Sequence, residues 1–184
     1  MGRTDEFRFK TKDQRYVLIR TAVAEDAEQV LDLTNEVIRT SAYLLTTEEE
    51  FKLSVETERD LLDSLLVSEG SLALVAECEG EIAGFLDFHN GRKKRNKHQG
   101  SFGMSVLPAY RGHGIGKALL QQLMHWAEGS PLIEKVSLEV FSKNRPAISL
   151  YEREGFIEEG RKREAVKLGE SLYDDLLIMA RSTK

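Results

Sequence analysis

The chain holds one cysteine, three prolines and one tryptophan in 184 residues. A single thiol, Cys78, rules out an intrachain disulfide and suits a reducing compartment. His89, His98, His113 and His125 have no metal-ligand spacing with one another or with Cys78, so no metal is expected. No apolar run is long enough to span a bilayer. The N-terminus, Met1 to Glu6, is charged and lacks an apolar h-region, and Glu6 stands where a myristoylation signal wants Ser or Thr. A cytoplasmic protein without membrane attachment is the expectation. Basic excess is missing too: the formal net charge is −5, so bulk electrostatics gives nucleic acid no support. The one basic run, Arg92 to His98, lacks interleaved aromatics and reads as a solvated hairpin tip.

What the chain does have is a regular alternation of helical and strand patterns. Residues 1–14 are polar and read as a loose segment; residues 15–184 read as one domain. Tyr16 to Arg20 reads as a strand. Ala27, Val30, Leu31, Thr34 and Val37 recur at helical spacing, and Leu61, Leu62, Leu65 and Leu66 mark a second helix. Leu72 to Cys78 and Ile82 to Phe88 form a hairpin about Glu79-Gly80-Glu81, and Gln99 to Val106 is the next strand. A helix from about Gly114 to Glu128, a strand Lys135 to Val140, a short helix Asn144 to Glu152 and two closing strands complete the order. This predicts one mixed α/β (α+β) domain without repeats or linkers.

The most informative stretch runs from Gly103 to Leu120. It reads as a strand end, a turn with glycine at 112, 114 and 116, and the start of an amphipathic helix. Glycine lets a ligand approach the backbone, and a helix start offers unpartnered N–H groups to phosphate. Arg111 and Lys117 add positive charge. A P-loop is excluded, because Gly116-Lys117 is followed by Ala118 and no glycine stands at the required distance upstream. A dinucleotide fingerprint is excluded by the glycine spacing and by the absence of a surrounding βαβ unit.

Val106-x-Pro108 followed by Arg111-Gly112-His113-Gly114-Ile115-Gly116-Lys117 resembles the coenzyme A pyrophosphate loop of the GCN5-related N-acetyltransferase (GNAT) superfamily. Glu139 to Phe156, with Asn144 and Tyr151-Glu152-Arg153-Glu154-Gly155-Phe156, is similar to that family's fifth strand, fourth helix and following turn. The likeness spans most of the chain from Ile19 onward and is closest to the branch that acetylates protein N-termini and small amines. It implies a twisted, mostly antiparallel mixed sheet of about seven strands, flanked by about four helices and splayed between strands 4 and 5. It also implies acetyl-CoA as donor, its pyrophosphate on residues 111–117. The pantetheine arm would lie against the backbone of Met104, Ser105 and Val106, in a strand that carries a bulge in the family. Asn144 resembles a residue that contacts the pantetheine or caps the helix.

The expected chemistry needs two proton-handling groups. An ammonium has no lone pair, so a base must take its proton before it attacks a thioester. Glu139 matches the base of N-terminal acetylating members. A departing thiolate is helped by a proton donor, and Tyr151 matches the family's acid. Cys78 lies away from these motifs and is not expected to act as a nucleophile. Residues 21–70 are rich in acids, among them Glu48, Glu49, Glu50 and Glu58, which suits a cationic acceptor. The turn at Leu168-Gly169-Glu170-Ser171 resembles a terminal hairpin that shapes the acceptor pocket or a homodimer contact. The rival reading on the same fold is a non-catalytic acyl-CoA-binding module.

Overall fold

The alternation of side chains in Leu72–Cys78 sets the two layers of the molecule. In the computed structural model, which describes residues 2–184, Leu72, Leu74, Ala76 and Cys78 face one way and Ala73 and Val75 the other. All are buried, which is how a central strand covered on both faces reads. One core lies beneath the helix Ile115–Gly129, and a second lies beneath Ala27–Thr40 and Val55–Val67.

In chain order the elements are β1 (Phe7–Lys10), β2 (Tyr16–Thr21), α1 (Ala27–Thr40), α2 (Val55–Val67), β3 (Leu72–Cys78), β4 (Glu81–Asn90) and β5 (Gln99–Val106). There follow α3 (Ile115–Gly129), β6 (Lys135–Phe141), α4 (Arg145–Arg153), β7 (Ile157–Lys167) and β8 (Tyr173–Ser182). One eight-stranded sheet runs β1-β2-β3-β4-β5-β6-β8-β7, antiparallel except between β5 and β6. The strand beyond the expected seven is β1. It arises inside the segment whose polarity reads as loose: Phe7 to Lys10 pair with Ile19 to Tyr16, and Phe9 packs against the core under α3. Met1 lies outside the described residues. No helix among the described residues is long and apolar enough to cross a membrane.

The sheet comes apart in the middle. β5 and β6 pair only at Gln99–Ser101 against Lys135–Ser137. Beyond that point β5 stays with β4 as far as Gly84↔Val106, while β6 stays with β8 as far as Phe141↔Leu176. Phe102 to Val106 therefore leave the β6 side of their backbone open. The bulge expected in this strand is not there, because the β4–β5 register runs without a shift. The opening arises because β6 follows β8.

Candidate active site

The turn entering α3 takes its shape from two glycines. Gly112 and Gly114 have φ of 79° and 90°, a left-handed region costly for other residues. A Cβ at Gly112 would meet nothing within 4 Å, so the turn faces open space. Gly114 is the N-cap, and the first helical bond runs from the Ala118 N–H to the Gly114 carbonyl at 3.0 Å. The N–H groups of Ile115, Gly116 and Lys117 thus have no partner within the helix. The Ile115 side chain is buried, so only its backbone can serve a ligand. Arg111 donates from Nε to the Val106 carbonyl at 3.0 Å, tying the turn to the end of β5. Lys117 is exposed, with Glu154 3.9 Å away. An open, donor-lined turn with two cations beside it fits a pyrophosphate.

His113 points toward the N-terminal hairpin. Its Nδ1 lies 3.3 Å from Asp13 Oδ1 without hydrogen-bond geometry. Asp13 accepts from Thr11 and Arg15, and these bonds hold its carboxyl down at about 2. The Arg15 guanidinium sits over the Tyr110 ring, 4.6 Å from its centroid. The β1–β2 connection, which carries Asp13 and Arg15, therefore braces the glycine turn.

Met104 and Val106 pack toward the α3 side, and Ser105, of opposite parity, points to the α1–α2 side. Asn144 caps α4, its side chain accepting from the Ala147 N–H at 3.3 Å. Tyr151 lies on α4 with its ring edge-on to Phe102, 5.9 Å between centroids. Phe102 is the first β5 residue past the last pairing with β6. Burial pushes the Tyr151 phenol up to about 12.

On the opposite face, a cleft of about 530 Å³ lies over the opening, lined by residues that include Asp87, His89, Gly103, Ser137 and Glu139. Glu139 is two residues past the last β6 pairing and forms an ion pair with Lys162 of β7. Asp87 and His89 are bonded to each other at 2.7 Å. Glu58 of α2 is buried, and its carboxyl is raised by desolvation and then by the nearby Asp87. Glu48, Glu49 and Glu50 are exposed in the α1–α2 connection, where Glu50 is tied back to Thr47 at 2.8 Å. Sequence reasoning missed Asp87, His89 and the burial of Glu58. The available signal was two polar residues, i and i+2, closing the otherwise apolar run that begins at Ile82 and ends at His89.

An open sheet with a donor-lined glycine turn on one side of the gap and a polar cleft on the other defines a coenzyme A-dependent acyltransferase fold. Comparison with known proteins places the chain within that class. Residues 38–156 match the model of the acetyltransferase (GNAT) family, and the chain belongs to that family. It is 32% identical over 113 residues to an L-amino acid N-acetyltransferase of Escherichia coli (strain K12), covering 61% of this chain and 68% of that protein. A GNAT-family acetyltransferase from Streptococcus pneumoniae superposes with a TM-score of 0.86 at 25% identity, covering 90% of this chain and 98% of the other. A structure from Salmonella typhimurium, solved with its cofactor acetyl-CoA, shares the fold at a TM-score of 0.81 and 20% identity, covering 91% and 94% of the two chains. Acetyl-CoA-dependent N-acetylation is the activity of the family, and the geometry above fits that donor.

Proposed function

We propose that the chain transfers acetyl from acetyl-CoA to a primary amine by direct attack, with Tyr151 as acid and Glu139 as base. The observation that carries this reading is their placement. Tyr151 and Glu139 belong to opposite layers and meet the sheet where β5 and β6 part. A donor entering from the α3–α4 side would bring its thioester to the gap, and an amine would enter from the α1–α2 side. Acetyl-CoA supplies an activated acyl group on a thiol leaving group. The glycine turn and Arg111 hold the pyrophosphate, and the open edge of β5 from Gly103 to Val106 offers backbone groups to the pantetheine amides. A backbone N–H at that edge stabilises charge developing on the acyl oxygen. Tyr151 keeps its proton throughout the working pH range and can give it to the thiolate. The buried Cys78 has its thiol raised by desolvation, which suits direct transfer without an enzyme thioester.

The acceptor we favour is an amine with further positive charge, small or at a protein N-terminus. Asp87 and Glu139 line the cleft, Glu58 lies behind Asp87, and Lys162 is already paired. The test is acetyl-CoA-dependent thiol release with spermidine, free amino acids and N-terminal peptides. Turnover with the cationic amines foremost is expected. Coenzyme A binding without thiol release from any of them would refute the reading and leave a binding module.

A further inference from the structure

Glu139 and Tyr151 together move one proton, from the attacking amine to the leaving thiol, and the reaction removes two. An ammonium carries three hydrogens, the amide product keeps one, the thiol gains one, and one is released to water. A group at the cleft must therefore take a proton from the ammonium and pass it to solvent. Glu139, paired with Lys162, serves the proton that leaves as the amine attacks.

The cleft contains a second candidate. Asp87 and His89 alternate on β4 and share the face turned toward α1 and α2, while Leu86 and Phe88 point into the core beneath α3. The register sets them in rows across the sheet. Asp87 stands opposite Gly103, and His89 opposite Ser101, which in turn pairs with Ser137. Glu139, two residues beyond Ser137, borders the same cleft from the other side. Between the two flanks the floor is Gly103, which has no side chain. A Cβ there would come within 3.1 Å of Asp87 Oδ1. Beside Asp87 the floor is thus bare backbone, with the two small serines in the next row, an acid–imidazole pair on one flank and a carboxylate on the other. An amine lying on it would have both within reach of its protons.

We propose that His89, held by Asp87, is the group that takes the proton from the acceptor's ammonium. Its Nε2 donates to Asp87 Oδ2 at 2.7 Å, which leaves the Nδ1 lone pair as the proton acceptor. The free amine then attacks: the C–N bond forms, the C–S bond breaks, and the thiolate takes the Tyr151 proton. Glu139 takes the second amine proton and passes it on to make good the loss at Tyr151, and the imidazolium returns its proton to water. Charged groups act on the imidazole from several sides. The bond from Asp87 raises the His89 imidazole, burial and Arg92 in the β4–β5 turn oppose this, Glu58 from α2 stands behind Asp87, and Glu139 from β6 borders the same cleft. A protonated His89 would repel a cationic amine, so one group links acceptor binding to pH.

This rests on the acetyltransferase reading, so the test has two arms. In the first, His89→Gln and Asp87→Asn are assayed with an amine the wild type acetylates. His89→Gln should lower kcat/KM at neutral pH about a hundred-fold and remove the acid limb set by the imidazole, with the coenzyme A dissociation constant unchanged. Asp87→Asn should shift that limb toward lower pH. A His89→Gln enzyme within about three-fold of wild type, or with the same acid limb, overturns the proposal. In the second arm the His89 ring is followed by NMR in the protein without donor, and spermidine is added. A downward shift of its pKa supports the proposal, and an unmoved pKa overturns it. If no amine is acetylated, the proposed function fails and this titration alone decides on His89.

Discussion

Tyr151→Phe isolates one proton. The substitution keeps the ring, so the edge contact with Phe102 and the packing on Phe156, at 5.9 and 6.1 Å between centroids, survive. Among the described residues the phenol makes no hydrogen bond to protein, so removing it should leave stability at neutral pH almost unchanged. If Tyr151 protonates the leaving thiolate, kcat should fall about 10²–10⁴-fold, or roughly 2.7–5.4 kcal/mol at about 1.36 kcal/mol per decade. The pH dependence sharpens the test. The phenol stands at about 12 in the folded chain, against about 10 unfolded, because burial disfavours the phenolate. The folded state therefore holds this proton more tightly. The stabilisation is complete below about pH 10 and is lost as pH rises toward 12, a difference of about 2.7 kcal/mol. Denaturant unfolding at about pH 8 and about pH 11 should show wild type losing stability that Tyr151→Phe keeps. Thiol release under saturating acetyl-CoA, with coenzyme A affinity measured separately, reads the catalytic part. A kcat within a few-fold of wild type would refute the acid role. So would an alkaline limb below about pH 10 that vanishes in Tyr151→Phe.

Gly114→Ala forces a side chain into φ 90°, a strain of about 1–2 kcal/mol; coenzyme A titration should show roughly ten-fold weaker binding. Glu58→Gln removes a charge buried behind the cleft. Its raised pKa means that stability present below about pH 4.3 is lost as pH rises through the folded value. The variant should therefore gain roughly 2–4 °C in Tm at neutral pH and nothing in acid, while KM for a cationic acceptor rises. Asn144→Ala removes the α4 cap, worth about 1 kcal/mol; a fall in Tm with unchanged coenzyme A affinity marks a capping role, and weaker affinity marks a pantetheine contact. Neutralising Glu48, Glu49 and Glu50 together should raise KM for spermidine, and an unchanged KM would confine the charge selection to the cleft.

The helices and inner strands were legible because each carries a period. The heptad-like recurrence in Ala27 to Val37 and the doubly buried run in Leu72 to Cys78 each fix an element to within a residue or two. The glycine turn was legible because positive φ at Gly112 and Gly114 restricts the residue type. β1 was not, since Phe7 and Phe9 alternate with charges over only four residues, and an edge strand needs little apolar surface. The acceptor side was the least legible. Asp87, His89 and Glu58 come from β4 and α2, and their approach depends on how α2 lies across the sheet. A polar residue on an amphipathic helix reads as solvated, yet Glu58 is buried because the Ser54 cap starts α2 in a rotation that turns it inward with Leu62 and Leu65.

The three-rung seam between Gln99–Ser101 and Lys135–Ser137 also bears on how long the protein lasts. With so few bonds across its middle, the sheet is two blades joined at one end. A donor lying in the gap would stand in for the missing rungs, and at a hundred times its dissociation constant it would add about 2.7 kcal/mol to the folded state. Proteolysis samples the opened blades, so resistance to degradation would rise and fall with the supply of acetyl-CoA. The amount of enzyme and the rate of each molecule would then answer to the same metabolite.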